Sequence, residues 1–100
     1  MSAVTTARVP TAHASRYLQQ LSKHWSHKLA VTFTPHEARI DFNPRAPAVV
    51  TMAAAADALT VRLETEDEAL IERMTGVVAE HLDRFAFREA PLPFDWQRQG

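Results

Sequence analysis

The sequence predicts an α+β fold, a two-layer sandwich in which two helices cover one face of an antiparallel sheet. Two stretches, near residues 12–27 and 66–86, carry apolar residues at helical spacing. Short segments around and between them alternate apolar and polar residues, as strands buried on one side do. In chain order these segments give β-α-β-β-β-β-α-β, within a single domain over residues 1–100.

The first strand and the first helix meet near a proline. "VTTARV" (residues 4–9) is rich in β-branched side chains, and Pro10 after it suits the end of a strand. Thr11 is then predicted to be the N-cap of the helix. The core-facing stripe of this helix consists of Ala14, Tyr17, Leu18, Leu21 and Trp25.

Four strands are predicted in the middle of the chain, at residues 29–33, 38–42, 48–52 and 58–64. Turns between them form through Pro, Asn and Asp. Alternation assigns these side chains to the core: Val31, Phe33, Ile40, Phe42, Val50, Met52, Leu59, Val61 and Leu63. The residues between them are mainly threonine and charged, which predicts a polar sheet face without a covering layer.

The second helix is predicted to begin with a capping box in "TEDE", with Thr65 at the N-cap and Glu68 at N3. Its apolar stripe consists of Leu70, Ile71, Met74, Val77, Val78, Leu82 and Phe85. A last β-like segment, "LPFDW" (residues 92–96), follows it. Pro93 restricts that segment to a sheet edge or to irregular structure.

Charge and composition exclude several classes of function. The net charge of −1 provides no field that would attract nucleic acid or an anionic membrane. The chain has no cysteine, which excludes disulfides, thiolate metal sites and a cysteine nucleophile. No apolar run reaches the length of a membrane span, and no signal peptide is recognisable, so a cytoplasmic protein is expected. The sequence motifs of nucleotide-binding and hydrolytic enzymes do not occur, and no enzyme class is indicated.

The order of elements matches the topology of half of the TATA-binding protein and of the phosphohexomutase C-terminal domain. This similarity concerns the fold and carries no function with it. On the predicted polar face, Arg39 and Arg62 lie beside Asp41 and Glu64, whose charges would cancel theirs. We therefore expect no nucleic-acid partner.

Two sequence blocks are distinctive, "ARVPTAHASRYLQQLSKHWSHK" (residues 7–28) and "VVAEHLDRFAFRE" (residues 77–89). Through them the chain resembles a bacterial family designated domain of unknown function 2218, from Ala7 to about Trp96. The resemblance implies a stand-alone cytoplasmic α+β domain without an established activity or cofactor. Members are often encoded beside, or fused to, siderophore-interacting flavin reductases, which implies a link to iron or siderophore metabolism.

Three histidines define a candidate metal site. His24 and His27 stand three residues apart on the first helix, and His81 falls within the apolar stripe of the second. Because both helices cover the same sheet face, we expect His81 to approach His24. Three imidazoles would suit zinc or another late first-row metal. In the alternative, structural interpretation, His81 is hydrogen-bonded in the core and the other two face the helix C-terminus as partial cations.

A second candidate lies in "RFAFRE" (residues 84–89), where Arg84 and Arg88, with Lys28, would bind a carboxylate or phosphate. Alternatively, the two arginines form a structural cluster with Glu89. The candidate ligand-binding residues are therefore His24, Trp25, His27, Lys28, His81, Arg84 and Arg88. The leading hypothesis is a binding or accessory domain for an unknown small molecule or protein.

Two other hypotheses remain open. One is the histidine metal site, with or without catalytic activity. The other is an interaction module that forms a homodimer through an edge strand or around Gly76, a helical glycine that costs about 1 kcal/mol relative to alanine.

Overall fold

Six antiparallel strands and two helices follow one another in the predicted order β-α-β-β-β-β-α-β, which confirms the α+β fold. The computed structural model describes residues 3–43 and 45–99. Its elements are β1 (Ala3–Pro10), α1 (Ala14–Trp25), β2 (Ala30–Phe33), β3 (Glu37–Asp41), β4 (Ala48–Ala54), β5 (Ala58–Thr65), a 3₁₀ turn (Glu68–Leu70), α2 (Ile71–Phe85) and β6 (Gln97–Gln99).

The strands form one sheet in the order β2-β3-β4-β5-β1-β6. The first strand lies inside the sheet because β1 pairs with β5 along its whole length, from Ala3 opposite Thr65 to Pro10 opposite Ala58. Strand β6 extends the sheet on the other side of β1, with Val4 opposite Gln99. The edges are therefore formed by two short strands, β2 and β6.

One face of the sheet packs against both helices, and the core lies between the two layers. Strand residues such as Val9, Ile40 and Leu63 are fully buried there, together with Leu18 of α1 and Val78 of α2. On the opposite face, one row crosses five strands through Thr32, Arg39, Thr51, Arg62 and Thr6. The alternation of apolar and polar residues along each strand produces this division.

The predicted N-cap of α1 is wrong. The helix begins at Ala14, with His13 at the N-cap, and it ends at Trp25. The Thr11 hydroxyl is buried and donates to the Glu89 carboxylate at 3.0 Å, while it accepts the backbone N–H of His13 at 3.1 Å. Thr11 therefore stabilises the turn before the helix instead of capping it.

The predicted capping box of α2 is also wrong. Thr65 is the last residue of β5, and its hydroxyl donates to the Pro47 carbonyl at 2.7 Å. Asp67 caps the 3₁₀ turn instead by accepting the N–H of Ala69 at 3.0 Å. Because this turn intervenes, α2 begins only at Ile71.

The last strand is displaced along the chain from its predicted position. Residues 92–96 are irregular, and the strand pairing is made by Gln97–Gln99 instead. Leu92 is buried, and its N–H donates to the Asp83 carboxylate at 2.9 Å, which fixes the segment against α2. The rings of Phe94 and Trp96 stack on each other at 5.6 Å. Side-chain packing, not strand pairing, therefore explains the apolar residues of this segment.

Candidate ligand-binding site

A cavity of about 530 Å³ opens where the C-terminal end of α1 meets α2 and the loop between β3 and β4. We call it the helix-end cavity. Its apolar lining includes Trp25, Leu29, Phe42, Leu70, Met74 and Val77. Trp25 and Phe42 are buried and belong to the core, so the cavity reaches from the surface to the edge of the core.

Three cations line the same cavity, each from a different part of the chain. Lys28 follows α1, Arg45 lies in the loop between β3 and β4, and Arg73 lies on α2. Within residues 3–43 and 45–99, none of the three forms an ion pair with an acidic side chain within 4.0 Å, and no acidic residue lines the cavity. The arginines of the open sheet face are different, since Arg39 and Arg62 each pair with a carboxylate. The cavity cations thus remain available to an anion.

The two helices bring His24 and His81 together at the cavity. Their ring centroids are 5.6 Å apart, and the His24 ring also contacts Phe85 edge-on at 5.8 Å. Nδ1 of His81 lies 2.7 Å from the carbonyl oxygen of Val77. Because a carbonyl only accepts, Nδ1 carries a proton, and Nε2 of the neutral ring is an acceptor.

The surroundings of His24 oppose its protonation. Although the residue is exposed, contact of its ring with neighbouring rings removes water from it, and this desolvation is the main reason why the pKa of His24 lies below its ordinary value. A proton on His81 and the positive charges of Arg84 and Lys28 act in the same direction. Protonation of His24 is therefore unfavourable unless an anion binds beside it.

His27 does not line the cavity, although its charge acts on His24, and it is exposed on the turn after α1. In the part of the chain that the structure describes, no group of three or more His, Asp or Glu residues could hold a metal ion. The structure thus brings together two of the three predicted metal ligands.

Neither Arg84 nor Arg88, the predicted anion-binding pair, lines the helix-end cavity. Arg84 is close enough to His24 to affect its pKa but does not line the helix-end cavity. Arg88 lies beside a second cavity of about 470 Å³, near Tyr17 and Glu89, with its guanidinium 5.7 Å from the centre of the Phe87 ring. Of the three cations predicted to act together, only Lys28 lines the helix-end cavity.

Sequence reasoning missed Arg45, Arg73 and the participation of Phe42. Arg73 lies on the predicted polar face of α2, and Arg45 lies in a turn, so neither carries a periodic signal. Phe42 was assigned only to the core. The topology does carry a signal for Arg45. The turn between two antiparallel strands lies at one end of the sheet, and a helix that covers the sheet ends at the same level, so a residue in that turn can reach the helix end.

Comparison with solved structures shows that the chain is similar to PA4090 from Pseudomonas aeruginosa, a structure determined by NMR. The two share 36% sequence identity, the alignment covers 94% of each chain, and the TM-score is 0.77. Among curated proteins, no sequence matches the chain.

Residues 6–97 match a family described as uncharacterised proteins conserved in bacteria, DUF2218. The chain belongs to this family, as the two sequence blocks predicted. Neither helix within the described residues is long and apolar enough to cross a membrane.

Proposed function

We propose that the protein is a cytoplasmic binding domain that holds a small organic anion in the helix-end cavity. The observation that carries this proposal is the combination of a partly buried apolar lining with three cations that form no ion pair within the described residues, namely Lys28, Arg45 and Arg73. An anion with an apolar body would use both parts of the lining at once.

The size and chemistry of the cavity support the proposal. Its volume of about 530 Å³ falls within the range of roughly 300–1,000 Å³ that is usual for small-molecule sites. Each apolar square ångström removed from water contributes about 25 cal/mol, and arginine forms bidentate, charge-assisted hydrogen bonds with carboxylate or phosphate. Arg45 and Arg73 are suited to this second role, because among the residues that the structure describes no carboxylate lines the cavity to compete with the ligand.

The experiment is a titration of the ¹⁵N-labelled protein with a panel of organic carboxylates, organic phosphates and ferric siderophores, followed by amide chemical shifts. Ferric siderophores test the metabolic link that the family resemblance implies. We expect a saturable ligand to shift amides of α1 after Tyr17, of α2 and of the β3–β4 loop. At a hundred times its Kd, it should also raise the free energy of unfolding by about 2.7 kcal/mol.

A pair of double variants controls for nonspecific charge effects. Arg45→Gln/Arg73→Gln should weaken binding at least tenfold, whereas Arg39→Gln/Arg62→Gln on the open sheet face should leave the Kd unchanged. The proposal fails if no panel member binds with a Kd below about 1 mM, or if both double variants weaken binding equally.

A metal ion is the second candidate ligand, favoured by the 5.6 Å separation of the His24 and His81 rings and by the hydrogen bond of His81 Nδ1 to the Val77 carbonyl, which leaves Nε2 as the acceptor of the neutral ring. Two imidazoles leave coordination positions for water or for an anion. Calorimetric titration with zinc tests this directly, and His24→Ala and His81→Ala should each abolish the heat. Absence of wild-type binding tighter than about 100 μM would remove the metal hypothesis.

A further inference from the structure

Four aromatic rings line the helix-end cavity as a continuous series. The centroid distances are 5.6 Å from His24 to His81, 5.1 Å from His81 to Trp25 and 5.1 Å from Trp25 to Phe42. Exposure falls along this series, because His24 is exposed, His81 is half-buried and the last two residues are buried. The series therefore extends from the mouth of the cavity to its floor.

From this arrangement we infer that the cavity selects planar aromatic anions over saturated anions of the same size and charge. The inference rests on the proposed function and narrows its ligand. The rings of the series are inclined to one another by 43°, 48° and 76°, so they form an angled aromatic wall and not a flat stack. A ligand ring meets favourable offset or edge-to-face geometry against such a wall, whereas a saturated ring gains only from burial.

The aliphatic residues of the cavity lining also suit a planar ligand. Leu70, Met74 and Val77 complete the apolar wall, and the unbranched methionine side chain adapts to the ring that it contacts. Met74 is 6% exposed, so it already packs against the core beside the cavity. Its thioether makes favourable contacts with the edge of an aromatic ring.

The position of the charges determines where the anionic group of the ligand lies. Lys28, Arg45 and Arg73 are exposed, whereas Trp25 and Phe42 are buried, so positive charge lies at the mouth and rings at the floor. The expected ligand is therefore an aromatic ring system whose carboxylate or phosphate is attached at one end. A ligand with charge at both ends would have to bury one of them against Phe42, which is unfavourable.

Three compounds of nearly the same shape test the inference: 2-naphthoate, its saturated analogue decahydronaphthalene-2-carboxylate, and the uncharged 2-naphthamide. Their Kd values are measured by amide shifts of the wild-type protein under one set of conditions. We expect 2-naphthoate to bind about three- to tenfold more tightly than the saturated acid, as aromatic contacts predict. The amide should bind at least tenfold more weakly than 2-naphthoate.

Equal or tighter binding of the saturated acid would overturn the aromatic selectivity and leave the proposed anion-binding function standing. Failure of both acids to bind would also overturn the inference, and the proposed function would fall with it only if no other member of the anion panel binds. Phe42→Leu keeps the wall apolar but removes one ring, so it should weaken 2-naphthoate severalfold and change the saturated acid little. If that variant fails to fold, the comparison of the two acids on the wild-type protein still tests the aromatic selectivity.

Discussion

The Tyr17 hydroxyl donates a hydrogen bond to the Glu89 carboxylate and so connects α1 to the segment that follows α2. Thr11 donates to the same carboxylate at 3.0 Å, so the turn before α1, α1 itself and the segment after α2 meet at one side chain. The hydrogen bond from Tyr17 is the main cause that holds the pKa of Glu89 below its ordinary value. The pKa of Tyr17 is raised, chiefly by burial.

Removal of this contact should destabilise the protein. We expect Tyr17→Phe to lower the free energy of unfolding at pH 7 by about 1.5–3 kcal/mol, the usual net value of a hydrogen bond to a charged group. Glu89→Gln should lower it less, because the amide oxygen of glutamine still accepts a hydrogen bond while the charge is lost. Urea unfolding measures this change in the free energy of unfolding. The double variant should lose less than the sum of the two, because both single variants weaken the same charge-assisted interaction.

Acid provides the control for this pair. A carboxyl with a depressed pKa in the folded state stabilises the protein above its unfolded pKa, near 4.5, and that stabilisation is lost as pH falls through the folded value. The difference between wild type and Glu89→Gln should therefore shrink at pH 3. Additive losses at pH 7, or a difference that does not change with pH, would contradict the interpretation.

Two buried threonines on the core face of the sheet form a matched pair for a second prediction. Thr5 is 0% and Thr65 is 1% exposed. The Thr65 hydroxyl bonds to the Pro47 carbonyl and to the N–H of Asp67, whereas the Thr5 hydroxyl has no hydrogen-bond partner in the described part of the chain. Thr65→Val should cost about 1–3 kcal/mol, because two polar groups lose their partner.

Thr5→Val should be neutral or stabilising, since it exchanges an unpartnered buried hydroxyl for a methyl group of similar shape. Both variants are compared with wild type in the same urea titration. Equal losses for the two variants would show that side-chain shape, rather than hydrogen bonding, determines the preference for threonine at these positions.

The third prediction concerns pH and His24. Its folded-state pKa is depressed below 6.5, so the unfolded chain binds the proton more readily. The depressed pKa of His24 therefore contributes to the free energy of unfolding above the pKa of the unfolded state. This contribution is lost as the pH falls through the pKa of the folded state. An NMR titration of the His24 ring should give a midpoint below 6.5.

His81→Gln should raise that midpoint, because a proton on His81 places positive charge beside His24 and the glutamine amide does not. His36→Gln, in a turn between β2 and β3, is the control and should leave it unchanged. A bound anion should raise the midpoint further, and by linkage the anion should bind more tightly at pH 5.5 than at pH 7.5. A midpoint that is unaffected by His81→Gln would contradict the coupling.

The fourth prediction concerns Gly76, which lies inside α2 and is exposed. A Cβ atom added there meets nothing within 4 Å. Gly76→Ala should therefore raise the free energy of unfolding by about 1 kcal/mol, the difference in helix propensity. Glu80→Ala, also exposed on α2, should change it much less.

The same variant bears on the homodimer hypothesis. Native mass spectrometry of wild type and Gly76→Ala compares their oligomeric states. A dimer that dissociates on this substitution would show that the glycine surface forms an interface, and the expected gain in stability would then be absent.

Local periodicity was enough to predict most of the fold, because alternation in strands and apolar stripes in helices are properties of short segments. The ends of both helices were not predictable in this way. Thr11 and Thr65 have the side chains of N-caps, but their hydroxyls bond to Glu89 and to Pro47, which are far away in sequence. Long-range contacts of this kind leave no local signal.

The candidate site was predictable to the extent that it depends on helix faces. His81 lies in an apolar stripe, and its approach to His24 follows once both helices cover the same sheet face. Arg45 and Arg73 reach the cavity only because the β3–β4 loop packs beside α2, and no spacing along the chain encodes that. Arg88 and Lys28 each follow the end of a helix, and this similarity in sequence predicts that they lie together. The structure places them at different cavities, because the direction of the chain after a helix is set by long-range packing.

The pairing of β6 with β1 places Val4 directly opposite Gln99, so the two ends of the described chain lie side by side at one edge of the sheet. A short linker between them would close the backbone into a ring, which could be reopened between β3 and β4. Such a circular permutant keeps every strand pairing, because the cut falls in a loop. Its new ends would lie at the mouth of the helix-end cavity, so its folding and its ligand affinity would separate the loop's contribution to stability from its contribution to binding.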